Sequence, residues 1–128
     1  MNDRFVLDSS ALLAIVLCEP GRERALEMVV GSLVSAVNLS EAAAKLDERG
    51  FEAETTNALL GSLGCGITPF AEQDAYEAGR LRKATRPLGL SFGDRACLAL
   101  AMQRRCTILT ADRAWSRLQF DVEIEFIR

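Results

Sequence analysis

Phe5-Val6-Leu7 is a strand-length apolar run that stops at Asp8 and gives way at once to a helical pattern through Leu17, and this switch recurs along the chain. Leu33 to Val37 contains a second short strand, and Asn38-Leu39-Ser40-Glu41 matches a capping box before a helix over 42–49. Cys65 to Thr68 reads as a short strand or an extended crossing, weakened by its glycines. Thr107-Ile108-Leu109 is a further strand, and the alternating Val122 to Phe126 reads as a last, edge one. Helical patterns fill the intervals: 22–30 after the Pro20-Gly21 break, 51–63, and 71–86 up to Pro87. Ser91-Phe92-Gly93-Asp94 is a second box-like start, and Thr110-Ala111-Asp112 opens a short helix carrying Trp115 and Leu118. Short strands separated by helices predict an α/β fold: a central, mainly parallel sheet of about five strands, covered by helices on both faces. In such folds ligands bind at the carboxyl ends of the strands.

The 128 residues are 49% hydrophobic, spread along the whole length, with no repeat or linker, so one domain over 1–128 is expected. No histidine occurs, which excludes Ser-His-Asp and Cys-His relays, a histidine general base and histidine-ligated zinc. Cys18, Cys65, Cys97 and Cys106 form no C-x-x-C pair and read as small buried apolar residues in a reducing compartment. The opening MNDRFVLD lacks the order of a secretory signal and no apolar run is long enough to span a bilayer, so a cytoplasmic protein is expected. The net charge is -3, but residues 1–79 carry 5 basic and 13 acidic side chains, and 80–128 carry 10 basic and 5 acidic. The second half thus supplies a phosphate-facing surface if folding gathers its arginines; the alternative is a set of solvated helix faces.

Four acids occupy comparable positions. Asp8 follows the first strand, Glu41 lies just inside the helix after the second, Asp94 opens the helix before Thr107 to Leu109, and Asp112 follows that strand. Each alone reads first as a helix-capping or first-turn carboxylate. Four converging on one sheet edge would repel one another unless a cation neutralised them, and oxygen donors without histidine suit Mg²⁺ or Mn²⁺. Asp8 and Asp94 are the foremost candidate ligands, with Asp112 a third, direct or through water. Glu41 is either a ligand or the group that orients an attacking water. Such a site permits phosphodiester hydrolysis with no protein nucleophile. Ser9 and Thr110 are placed to hydrogen-bond the carboxylates or a phosphate, or to cap helices. Arg95 and Arg113 each adjoin an acid and are candidates for contacting a nucleic acid backbone or offsetting acidic charge.

The combination resembles the PIN-domain family of small metal-dependent ribonucleases, and within it the VapC-type toxins of toxin-antitoxin pairs. The resemblance runs through nearly all of the chain and is carried by FVLDSSALLAI at 5–15, SAVNLSEAAAKL at 35–46, LSFGDRACLALA at 90–101 and TILTADRAW at 107–115. The family's acidic positions fall on Asp8, Glu41, Asp94 and Asp112, and its hydroxyl positions on Ser9 and Thr110. The resemblance implies a PIN-like three-layer fold and a cytoplasmic, commonly dimeric endoribonuclease that uses Mg²⁺ or Mn²⁺ to cut structured RNA such as a tRNA or rRNA loop. It also implies a VapB-type antitoxin partner, seated on an apolar groove of the first four helices.

A phosphoacceptor receiver domain would need an Asp after the third strand, and Cys65 to Pro69 has none. A haloacid-dehalogenase-like phosphatase would need an Asp where Ser10 stands. A non-catalytic RNA- or protein-binding domain and a DNA-cleaving nuclease of the same architecture both stay open.

Overall fold

A computed structural model describes residues 4–128; residues 1–3, the start of the segment read above for a leader, lie outside the described residues. Five strands form one sheet: β1 (Phe5–Leu7), β2 (Leu33–Ser35), β3 (Gly66–Thr68), β4 (Thr107–Thr110) and β5 (Ile124–Phe126). Their order is β3-β2-β1-β4-β5, and every neighbouring pair is parallel. Parallel pairing demands a crossover between strands, and the helices supply it: α1 (Ser9–Val16), α2 (Arg22–Val29), α3 (Ala36–Glu48), α4 (Ala53–Gly61), α5 (Glu72–Arg80), α6 (Arg82–Thr85) and α7 (Phe92–Arg104). The fold is the expected α/β one.

Side chains alternate across a strand, so the central strands feed two cores. Leu7, Val34 and Leu109 face a cluster built with Leu12 and Ile15 of α1, Val29 of α2, Leu46 of α3 and Leu60 of α4. Val6 and Ile108 face the opposite cluster, with Cys97, Leu98 and Leu100 of α7 and Trp115. Trp115 is fully buried and therefore unavailable to stack on a ligand. The short helix expected after β4 is a 3₁₀ turn, Arg113–Arg117, capped by Asp112.

Three local readings need correction. The helix after β2 begins at Ala36, not after residue 41. Its cap is Ser35, whose Oγ accepts from the Val37 N–H at 3.2 Å, so Asn38 and Glu41 are interior helical residues and form no capping box. The helix expected over 71–86 is broken. Gly79 weakens its last turn, α5 stops at Arg80, and the chain resumes as the single turn α6 and a 3₁₀ turn, Arg86–Leu88. Pro87 forbids a regular helix there because its ring would meet the carbonyl one turn back. Finally, only Cys97 and Cys106 are buried; Cys65 is half-buried and Cys18 is exposed, at a positive φ of 55°.

Despite its glycines, 66–68 does form a strand, in register with β2 from Leu33↔Gly66 to Ser35↔Thr68. Among the described residues no helix is long and apolar enough to cross a membrane.

Candidate active site

The register Leu7↔Leu109 sets the site, because it brings Asp8, the residue after β1, beside Thr110, the last residue of β4, at the carboxyl edge. Asp8 is the N-cap of α1 and only 3% exposed. Its Oδ1 accepts from the Ala11 N–H at 3.0 Å and from Ser10 Oγ at 2.6 Å, and its Oδ2 accepts from Thr110 Oγ1 at 2.5 Å. Ser10 Oγ also accepts from the Ala111 N–H, and Thr110 Oγ1 from the Asp112 N–H, both at 2.9 Å. Two hydroxyls thus fasten the end of β1 to the end of β4. Thr110 takes part where the sequence placed it. The serine that bonds Asp8 is Ser10 and not Ser9: it is the second helical residue, on the side where the Asp8 carboxylate folds over the helix start.

Burial pushes the Asp8 carboxyl up to about 6, against the three hydrogen bonds that favour its ionised form, and the charge of Asp94 adds to the rise. Asp94 is the third residue of α7 and closes a capping box with Ser91: its Oδ2 accepts from the Ser91 N–H at 2.9 Å, and Ser91 Oγ accepts from the Asp94 N–H at 3.2 Å. Its carboxyl is also raised, first by burial, with the charges of Asp112 and Glu41 contributing. Cys97, buried one turn below Asp94, has its thiol pushed well above the usual range, by burial first and then by Asp8, Asp94 and Glu41. Asp112 is exposed, its Oδ1 accepting from the Ala114 N–H at 2.9 Å. The four acids therefore share one electrostatic neighbourhood.

Glu41 reaches the site because Asn38 and Gly93 let it. The buried Asn38 Nδ2 donates to Glu41 Oε1 and to the Gly93 carbonyl, each at 3.0 Å, tying α3 to the first turn of α7. A Cβ added at Gly93 would lie 2.0 Å from Glu41 Oε2, so this glycine makes room for the carboxylate. Sequence reasoning missed Ser10, Asn38 and Gly93. Their one available signal was a polar or side-chain-free residue inside an otherwise apolar helical segment.

Among the described residues none of the four acids has an ion-pair partner. Arg95 does not supply one: its guanidinium donates to the Ala78 carbonyl at 3.0 Å and lies over the Phe92 ring. Arg113 lies 4.3 Å over the Phe126 ring. A set of carboxylate and hydroxyl oxygens with uncompensated charge suits a hard divalent cation. Asn38 Oδ1 is buried without a hydrogen-bond partner. In this conformation no three of the His, Cys, Asp or Glu side chains among the described residues are close enough to hold one ion.

A parallel α/β sheet with carboxylates gathered at its carboxyl edge defines the class. Residues 5–121 match the PIN domain, and the chain belongs to that family. The fold is similar to chains in the DNA-bound VapBC complex of Salmonella typhimurium (TM-score 0.74, 20% identity, 98% of each chain covered) and in VapBC2 of Rickettsia felis bound to a fragment of its promoter (0.73, 17%, 94% of this chain and 96% of that one). It is also similar to FitAcB of Neisseria gonorrhoeae (0.68, 19%, 96% and 97%). No curated protein matches the chain significantly.

Proposed function

We propose that this chain is a metal-dependent endoribonuclease that hydrolyses phosphodiester bonds in structured RNA, a tRNA or rRNA loop, and acts as the toxin of a type II toxin-antitoxin pair. The observation that carries the reading is the Asp8 carboxylate, 3% exposed and under the charge of Asp94, with no Lys or Arg ion pair among the described residues. Burying such a charge costs several kcal/mol in a medium of low dielectric, a cost that proteins accept where the charge has work to do. Membership of the PIN family and likeness to toxin-antitoxin complexes support the same assignment.

Asp8 and Asp94 would hold Mg²⁺ or Mn²⁺, with Asp112 as a third ligand and Glu41 as a ligand or the base that orients water. Bound there, the ion would lower the pKa of a water and neutralise charge on the phosphate. The protein's own part is positional. Thr110 and Ser10 fix both Asp8 oxygens, Ser91 fixes Asp94, and Asn38 holds Glu41. Exposed Arg86 and Arg117 lie on two 3₁₀ turns that pack together on the Asp112 side, and neither has an ion pair among the described residues. They suit phosphates of a bound strand.

A VapB-type antitoxin would place a few apolar side chains in the cavity of about 470 Å³ between α3, α4 and β3, whose lining includes Leu39, Ala43, Leu60 and Ile67. A cytoplasmic homodimer belongs to the same reading.

The test is cleavage of total cellular RNA by the purified chain with Mg²⁺, Mn²⁺ or EDTA, beside Asp8→Asn, Asp94→Asn and a single-stranded DNA control. Discrete RNA fragments that vanish with EDTA and with either substitution are expected. Cleavage of DNA alone would turn the reading to a DNA nuclease, and no metal-dependent cleavage by folded protein would turn it to a non-catalytic binding domain.

A further inference from the structure

Phe92 is the first residue of α7, two positions before Asp94, and it is 49% exposed. A large apolar side chain in that position adds little to the stability of the fold, yet its ring is not free. Phe70, which follows β3, meets it edge-on with centroids 5.4 Å apart and planes at 86°. The Arg95 guanidinium, anchored to the Ala78 carbonyl, lies 5.7 Å from its centroid. Both rings line an open cavity of about 590 Å³, to which α3 contributes Ala36, Val37, Ser40 and Ala44 together with Glu41. Along the sheet edge this cavity, lined by residues that follow β2 and β3, lies at Glu41, whereas Asp112 and the two arginine-bearing turns lie on the β4–β5 side.

We propose that Phe92, backed by Phe70, is a stacking platform for one unpaired nucleobase of the substrate strand, adjoining the phosphate addressed by the acids. The inference rests on the nuclease reading above and narrows its substrate to strands with a base free of its stack. Three features select a base as the occupant. The platform is aromatic and held in place by its neighbours, so a planar ring stacks on it with little ordering cost. Apart from Glu41, the side chains that α3 adds to the lining are short, which leaves room for a flat group. The acids alongside disfavour an acidic peptide but suit a nucleotide whose phosphate meets a cation. A base inside a duplex cannot offer its face, so the site selects loops or single strands and tolerates any base identity.

The test uses Phe92→Leu, Phe92→Tyr and Phe92→Trp in the full chain, with poly(U) and poly(A) oligoribonucleotides and Ca²⁺ in place of Mg²⁺ for binding. Loss of one stacked base should weaken binding of Phe92→Leu by roughly 5- to 150-fold. Phe92→Tyr should restore it, and cleavage in Mg²⁺ by Phe92→Leu should show KM raised by the same factor. The indole of Phe92→Trp should be quenched by either oligonucleotide and not by RNA duplex; the native Trp115, being buried, stays silent. Wild-type affinity in Phe92→Leu, alongside RNA cleavage that Asp94→Asn abolishes, would overturn the platform and leave the nuclease standing. A changed oligomeric state in Phe92→Leu at unchanged RNA affinity would also overturn it, marking the face as a contact between copies. A wild-type chain that neither binds nor cuts RNA would remove both readings together.

Discussion

Replacing Asp8 by Asn should stabilise the metal-free protein while abolishing its activity. Burial raises the Asp8 carboxyl from 3.8 to about 6, so the folded chain binds that proton more tightly than the unfolded one. The stabilisation from a raised carboxyl is complete below the unfolded value near 4 and lost as pH rises through 6. At about 1.4 kcal/mol per tenfold change in proton affinity, the ionised group costs about 3 kcal/mol at pH 7.5, about 1.6 at pH 5 and under about 1 at pH 4. Asparagine cannot ionise, and its bonds can be remade. Its Oδ1 keeps the Ala11 and Ser10 donors, its Nδ2 donates to Thr110 Oγ1, and the Thr110 proton turns to Ser10 Oγ, 3.2 Å away. Urea unfolding in EDTA should therefore show Asp8→Asn more stable than wild type by about 1–3 kcal/mol at pH 7.5, the gain shrinking by about half at pH 5. Adding Mg²⁺ should then raise the wild type and not the variant. An Asp8→Asn protein less stable than wild type at pH 7.5, or a gain indifferent to pH, would refute the account of a buried, uncompensated charge.

Three other perturbations separate position from stability. Gly93→Ala should fold normally and melt at or slightly above the wild-type temperature, because alanine favours a helix by about 1 kcal/mol. Its RNA cleavage should fall by up to about 100-fold, because the new Cβ displaces the Glu41 carboxylate. Thr110→Val removes a donor to Asp8 and the acceptor of the Asp112 N–H; it should cost about 1–3 kcal/mol in thermal unfolding and move the acid limb of the pH–rate profile to higher pH. Asn38→Ala frees Glu41 and leaves the Gly93 carbonyl without its donor; a stability loss of about 1–2 kcal/mol should accompany a fall in kcat larger than any change in KM.

The parts of the fold that were legible were those written in neighbouring residues. The apolar Phe5-Val6-Leu7 followed by Asp8, and Thr107 to Leu109 followed by a threonine and an acid, gave β1 and β4 and their helix starts. The Ser91–Asp94 box was read correctly because both of its bonds close within four residues. The same spacing misled at Asn38–Glu41. There the polar pair is an i, i+3 contact inside a helix that Ser35 had already capped, and what holds Asn38 indoors is the Gly93 carbonyl 55 positions away. The break between α5 and α6 was equally invisible, since the apolar pattern continues through it. A buried Thr85 that bonds back to the Leu81 carbonyl belongs to the packed state and leaves no local trace.

By itself the sequence determined the alternation of strands and helices, and hence the placing of Asp8 and Asp112 just past β1 and β4, because apolar period and capping act over one turn of chain. The tertiary structure alone decided which hydroxyls hold Asp8, how deeply it is buried and why Glu41 can approach α7. Those depend on strand register, which brings together Asp8 and Thr110 from 102 positions apart. A carboxylate's proton affinity and the exposure of Phe92 are properties of what surrounds them, and the surroundings exist only once the sheet has formed.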